Sequence, residues 1–119
     1  MKKEYRIKKS KEIEDVLKNK KYSANPYFSI YSKENNENHH FRYAISVNKK
    51  IGKAVVRNRI KRQVRSIISQ IKIKDNVDVF IIVRSKVLDI DFAEMQNHIL
   101  YKINPQFFIV FFAINIYII

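Results

Sequence analysis

The sequence predicts an α+β domain, a small sheet sandwiched with helices, and three observations predict it. Helical and strand periodicities follow one another in the order helix, strand, strand, helix, strand, helix. The segment "VDVFIIVRS" (77–85) is rich in β-branched residues, as a central strand requires. At 119 residues, 46% of them apolar, the chain has material for one core but not for two.

Residues 1–9 read as an extended basic arm. Ser10 can cap a helix over 11–20, with Glu12 and Glu14 in the first turn, where the helix dipole favours acids. Ile13, Val16 and Leu17 share one face of it, and core packing is the simplest role for that trio. A short extra strand is expected near residues 22–24. "NPYFSIYS" (25–32) then reads as a strand, with Phe28 and Ile30 on one side and Tyr27, Ser29 and Tyr31 on the other. Exposed Tyr27 and Tyr31 could stack bases of a single strand, and core packing is the alternative. "KENNENHH" (33–40) has no apolar residue and reads as an exposed hairpin loop. "FRYAISVN" (41–48) alternates, with Phe41, Tyr43, Ile45 and Val47 opposite Arg42, Ala44, Ser46 and Asn48. The two strands are expected to pair as an antiparallel hairpin. Gly52 then interrupts the chain. Over 53–72, Val56, Ile60, Val64, Ile67 and Ile71 recur at spacings of four, four, three and four, a helical period. After the strand at 77–85, a helix over 89–103 turns Phe92, Met95, Ile99 and Ile103 inward.

The formal charge of +13 points to a polyanionic partner. Residues 1–72 hold twenty of the 24 lysines and arginines against six acids, so the binding face belongs to the first two thirds. The absence of cysteine excludes disulfides and thiolate chemistry and fits a cytoplasmic protein. The N-terminus lacks the apolar run of a secretory signal, and a single glycine cannot build a phosphate-cradling loop. The acids are scattered, His39 and His40 fall in the polar loop, His98 lies on a predicted helix, and no Ser–His–Asp arrangement stands out. No catalytic residue and no metal ligand is therefore assigned to this chain.

The run "KKIGKAVVRNRIKRQVR" (49–65) holds eight basic residues and no acid. On a helix, Arg57, Lys61 and Arg65 line up beside the apolar stripe, and Asn58 and Arg62 extend that basic face. No intrahelical partner relieves the repulsion, which a bound polyanion would remove. Arginine adds bidentate geometry suited to phosphate. A solvated cationic surface is the bland alternative; the missing acids favour nucleic acid.

Through "ISVNKKIGKAVVRNRIKRQVR" (45–65) the chain resembles the protein subunit of bacterial ribonuclease P. That family is marked by an Arg-Asn-Arg run behind a lysine-rich turn, a glycine and an Ala-Val pair. Here these are Lys49, Lys50, Gly52, Ala54, Val55, Arg57, Asn58 and Arg59, followed by Lys61, Arg62 and Arg65. The similarity continues upstream through "RIKKSKEIEDVLKNKKYSANPYFSIYS" and downstream through "DVFIIVRS". The resemblance implies a two-layer α/β sandwich of three helices on a four-stranded sheet. A left-handed βαβ crossover is implied too, like that of the second domain of ribosomal protein S5 and against the usual right-handed rule. It implies a ribonucleoprotein that removes the 5′ leader from precursor tRNA, with the active site and the Mg²⁺ ions on the RNA subunit and no cofactor on the protein. Lys49, Lys50, Lys53, Arg57, Asn58, Arg59, Lys61, Arg62 and Arg65 would then dock on the catalytic RNA. Ile13, Leu17, Phe28, Tyr31, Arg42 and Ser46 would form a cleft for the leader.

The chain departs from the family pattern in three places. Ile13 and Leu17 stand where phenylalanine is usual, and Lys20 stands where a glycine commonly follows the first helix. After a domain over 1–104, "PQFFIVFFAINIYII" (105–119) replaces the usual polar tail with an apolar one, shorter than the roughly 20 residues of a membrane span. A ribosomal or general RNA-binding protein without processing activity is the competing reading, and a membrane-surface protein a weaker third. No membrane partner is expected.

Overall fold

The computed structural model describes residues 3–19, 22–71, 73 and 75–100. The predicted tail at 105–119 and the last residues of the helix predicted to reach 103 lie outside them. Among the described residues the elements are α1 (Ser10–Lys18), β1 (Tyr22–Ala24), β2 (Phe28–Glu34), β3 (Arg42–Val47), α2 (Ala54–Ile68), β4 (Val77–Val83) and α3 (Phe92–Leu100). Turns of 3-10 helix occupy Lys3–Tyr5, Lys49–Ile51 and Ser85–Asp89.

The four strands form one mixed sheet in the order β1-β2-β4-β3, with β1–β2 and β2–β4 antiparallel and β3–β4 parallel. The parallel pair is joined through α2, which makes β3–α2–β4 the crossover unit. The hairpin reading pairs β2 with β3; the structure instead inserts β4 between them. The reason lies in β4 itself. Every residue from Val77 to Val83 is buried except the half-buried Ile82, and all but Asp78 are apolar, so this strand carries apolar side chains on both faces and belongs at the centre. The polar segment after β2 spans the end of β4 rather than closing a hairpin. The Asn35 N–H donates to the Asn76 carbonyl at 2.7 Å to hold it there.

Strand alternation sends Phe28, Ile30, Tyr43, Val47, Val79, Ile81 and Val83 to one face, where they meet Ile60, Val64 and Ile67 of α2 and Met95 and Ile99 of α3. Each such side chain contributes on the order of 1.5–3 kcal/mol by leaving water. The stripe predicted over 53–72 is the buried face of α2. The helix stops at Ile68, yet Ile71 beyond it is still buried. The other face carries a smaller cluster of Ala44 and Phe80 with Ile7 and Val16, against which Ile13, Leu17, Tyr31 and Ile82 pack. Thus sheet, α2 and α3 make the expected sandwich, and α1 adds a partial cover on the second face.

Three local expectations change. Ser10 is the first residue of α1, not its cap; Lys9 takes the cap position and no side chain caps that end. The basic arm is partly folded: Arg6 bridges Tyr43, the Ile7 N–H donates to the Tyr43 carbonyl at 2.8 Å, and Ile7 is buried. Tyr27 does not share the face of Tyr31. The Asn25 Oδ1 accepts from the N–H groups of Tyr27 and Phe28 at 2.9 Å, and this turn uncouples Tyr27 from strand alternation. Its ring lies 4.3 Å from that of His98 on α3.

Candidate nucleic-acid interface

Strand register builds the site on the α1 face of the sheet. One row crosses all four strands, Tyr22 beside Tyr31 beside Phe80 beside Ala44. The next row is Ala24, Ser29, Ile82 and Ser46. The opposite neighbour row pairs Lys33, Asp78 and Arg42. Glu12 pairs with Arg42 on β3 and Asn19 Nδ2 donates to the Ser32 carbonyl on β2 at 3.0 Å, so α1 spans the sheet from one to the other. Buried Val16 faces the sheet, and helical geometry sends Ile13 and Leu17 to the flank opposite Glu12. That flank overlooks the row of Ala24, Ser29, Ile82 and Ser46, in which Ile82 and Ser46 are half-buried and Ala24 is exposed. The result is a trough bounded by α1 and floored by the sheet.

The trough is not uniform. Toward β3 it deepens into a cleft of about 420 Å³ lined by Ile13, Ala44, Ser46 and Phe80, with Arg6, Lys61 and Arg65 among its walls. In its middle, Arg84 donates through Nε and Nη2 to the Ser29 Oγ at 3.1 and 2.6 Å. At the β1 end stands an aromatic pair, Tyr22 on Tyr31, with ring centroids 5.4 Å apart and planes 25° apart. Cations at one end and rings at the other suit a flexible anionic strand with exposed bases.

Of the six residues assigned to the cleft by resemblance, Ile13 and Ser46 line it, and Leu17 and Tyr31 pack into the adjoining cluster. Phe28 does not belong there. It is 0% exposed and points to the α2 and α3 face, because it alternates with Ser29 and Tyr31 along β2. Arg42 is in place but engaged. Its Nε and Nη2 donate to the two oxygens of Asp78 at 3.0 and 2.8 Å, and Nη2 also meets Glu12 at 2.9 Å. Donating to Asp78 raises the guanidinium's proton affinity against the opposing effect of burial. Burial pushes the Asp78 carboxyl up, but donation from Arg42, Asn38 and Asn35 outweighs it and holds the group below its ordinary value. Arg42 therefore fastens α1 to the sheet and fixes the trough's shape.

The cations of the basic run separate into sets. Lys61 and Arg65, half-buried, face the cleft. Arg57, also half-buried, donates from Nε to the Gly52 carbonyl at 3.1 Å, which closes the turn ahead of α2. A Cβ on Gly52 would stand 3.3 Å from Val56, so the close approach of this turn to the helix favours glycine. Lys49, Lys50, Lys53, Asn58, Arg59 and Arg62 are exposed and form an outward cationic surface. The Asn48 Oδ1 accepts from the Lys50 N–H at 2.8 Å and thereby starts the lysine turn.

Sequence reasoning missed Arg6, Tyr22 and Arg84. Arg84 falls in a segment whose apolar content speaks only of the core. Tyr22 is marked in sequence by nothing more than its place in a short strand. Among the described residues, no group of three His, Asp or Glu could hold a metal ion, and no helix is long and apolar enough to cross a membrane.

Known proteins are similar to this chain in sequence and architecture. The family model for Ribonuclease P matches residues 1–104. The chain is 41% identical over 108 residues to the ribonuclease P protein component of Geobacillus kaustophilus, covering 89% of each chain. It is 41% identical over 103 residues to that of Streptococcus pneumoniae, covering 85% of this chain and 83% of the other. The fold superposes on the RNase P protein of Staphylococcus aureus with a TM-score of 0.74 at 37% identity, over 80% of this chain and 88% of that one. For the RNase P protein of Thermotoga maritima the TM-score is 0.70 at 30% identity, over 80% and 91%. With family, relatives and fold in agreement, the chain belongs to the ribonuclease P protein family.

Proposed function

We propose that this chain, a protein subunit of ribonuclease P in the 5′ processing of tRNA, works by holding two RNAs at once. The outward surface of Lys49, Lys50, Lys53, Asn58, Arg59 and Arg62 docks on the catalytic RNA. The trough between α1 and the sheet takes the 5′ leader of precursor tRNA, with Lys61, Arg65 and Arg84 on phosphates and Tyr31 on a base. The RNA subunit holds the Mg²⁺ ions and performs the cleavage, and the protein contributes binding and positioning in the cytoplasm. A trough that reads no base edges by a fixed set of donors suits leaders of many sequences.

One observation carries this reading: α2 presents two cationic facets, one into a cleft and one away from it. A protein that merely coats an RNA surface has no use for the first, and the family match counts against a ribosomal role. Reconstitution tests it. The protein alone should leave precursor tRNA intact. Added to the catalytic RNA of the same genome at low Mg²⁺, it should raise cleavage and tighten substrates that carry a leader. Equal stimulation of substrates with and without a leader would refute the role of the trough.

A further inference from the structure

The β1 end of the trough holds a feature that the resemblance does not assign. Tyr22 is 59% exposed, unusual for an aromatic side chain in a strand. Its strand pairs it directly with Tyr31, and the two rings lie stacked. One face of Tyr22 is thus covered by Tyr31 and the other is open. The ring is held in place before any ligand arrives, so little freedom is lost on binding. Arg84, pinned on Ser29, supplies a cation on the next strand and one row away. The first helix, meanwhile, offers only the aliphatic Ile13 and Leu17 to this trough.

We propose that Tyr22 is a binding site for one unpaired RNA base, which stacks on its open face and extends the leader track from Tyr31 to the edge of the sheet. The partner is a single-stranded RNA segment, because the trough carries cations at its β3 end and Arg84 in its middle, and an aromatic face accepts any base without reading its edge. Three strand spacings of about 4.8 Å separate this end from β3, so the track accommodates a short run of nucleotides. Stacking moves from the helix, where two aliphatic side chains stand, to the outermost strand. The proposal rests on the trough being the leader site.

The test uses the full-length protein with its catalytic RNA and precursor tRNAs whose leaders grow one nucleotide at a time. Wild-type protein should show stepwise gains in affinity. Tyr22→Ala and Tyr22→Leu should abolish the step at the longest effective leader, weakening that substrate about fivefold or more while leaving shorter leaders unchanged. Tyr22→Phe, which keeps the ring, should retain the step. A 2-aminopurine placed at successive leader positions should be quenched at one position by wild type and Tyr22→Phe and released by Tyr22→Ala. Circular dichroism of each variant checks the fold, and the exposed position tolerates all three substitutions. Wild-type steps that survive Tyr22→Ala, with quenching intact, would overturn the proposal and leave the trough assignment standing. No leader-dependent step in the wild type would remove both.

Discussion

At the scale of single residues, the decisive observation is how tightly Asp78 is held. It is 3% exposed, and Arg42, Asn35 and Asn38 all donate to it. Removing its carboxylate leaves the half-buried Arg42 with Glu12 as its acid partner and deprives Asn35 and Asn38 of their acceptor, so Asp78→Ala should cost about 1–3 kcal/mol in urea denaturation. Because the folded carboxyl lies below its ordinary value of 3.8, the stability it confers is complete above that pH. It is lost as pH falls from there through the lowered value, and Asp78→Asn should flatten the acid limb of the stability profile. Glu12, more exposed on the other side of Arg42, should matter far less, by under about 1 kcal/mol. Arg42 shows why residue roles resist reading from a string. A lone arginine on an alternating strand has the chemistry of a phosphate ligand. Only its register opposite Asp78 shows that the charge is already satisfied.

At the scale of elements, α2 is the most legible part of the chain. Its apolar stripe recurs over several turns, and a 3.6-residue period sustained that long is the mark of a helix with one buried face. The division of its polar side is not legible, because periodicity ranks residues around an axis without saying what stands beside them. Lys61 and Arg65 become cleft residues because β3 and Arg6 lie next to them. The two facets should separate in experiment. Replacing Arg59 and Arg62 by glutamine should weaken binding to the catalytic RNA whether or not substrate is present. Replacing Lys61 and Arg65 should weaken leader-bearing substrates selectively, and the salt slope of that binding should fall by about 0.7 per lost phosphate contact on a single strand. Direct binding titrations at several salt concentrations distinguish the pairs. The strands are less legible than the helix. β2 and β3 alternate as hairpin partners do, yet pairing is a contest among all strands, and β4 wins the central place because both its faces carry apolar side chains.

For the whole molecule, a charge of +13 on 119 residues sets opposite responses to salt. Salt screens the repulsion among cations on the free protein, so its thermal midpoint should rise with ionic strength. Binding to the catalytic RNA should move the other way. The five cations of the outward surface, each on one phosphate, imply a loss of about five-hundredfold in affinity between 50 and 200 mM salt. Calorimetry of the free protein and filter binding of the complex measure the two trends, and a parallel response would contradict an interface built on phosphates.

By itself the sequence determined an α+β domain with one core, a basic amphipathic helix, and an Arg-Asn-Arg run specific enough to indicate the family. Those properties are local: periodicity, composition and ordered motifs survive in a one-dimensional string. The tertiary structure alone decided which strands meet, that Phe28 is core while Tyr31 faces the trough, that Arg42 is a fastening, and that Tyr22 and Arg84 join residues far from them in sequence. Each of these depends on register and on which faces are covered. They are set by competition among distant segments for the same apolar surface, and no local pattern encodes that outcome.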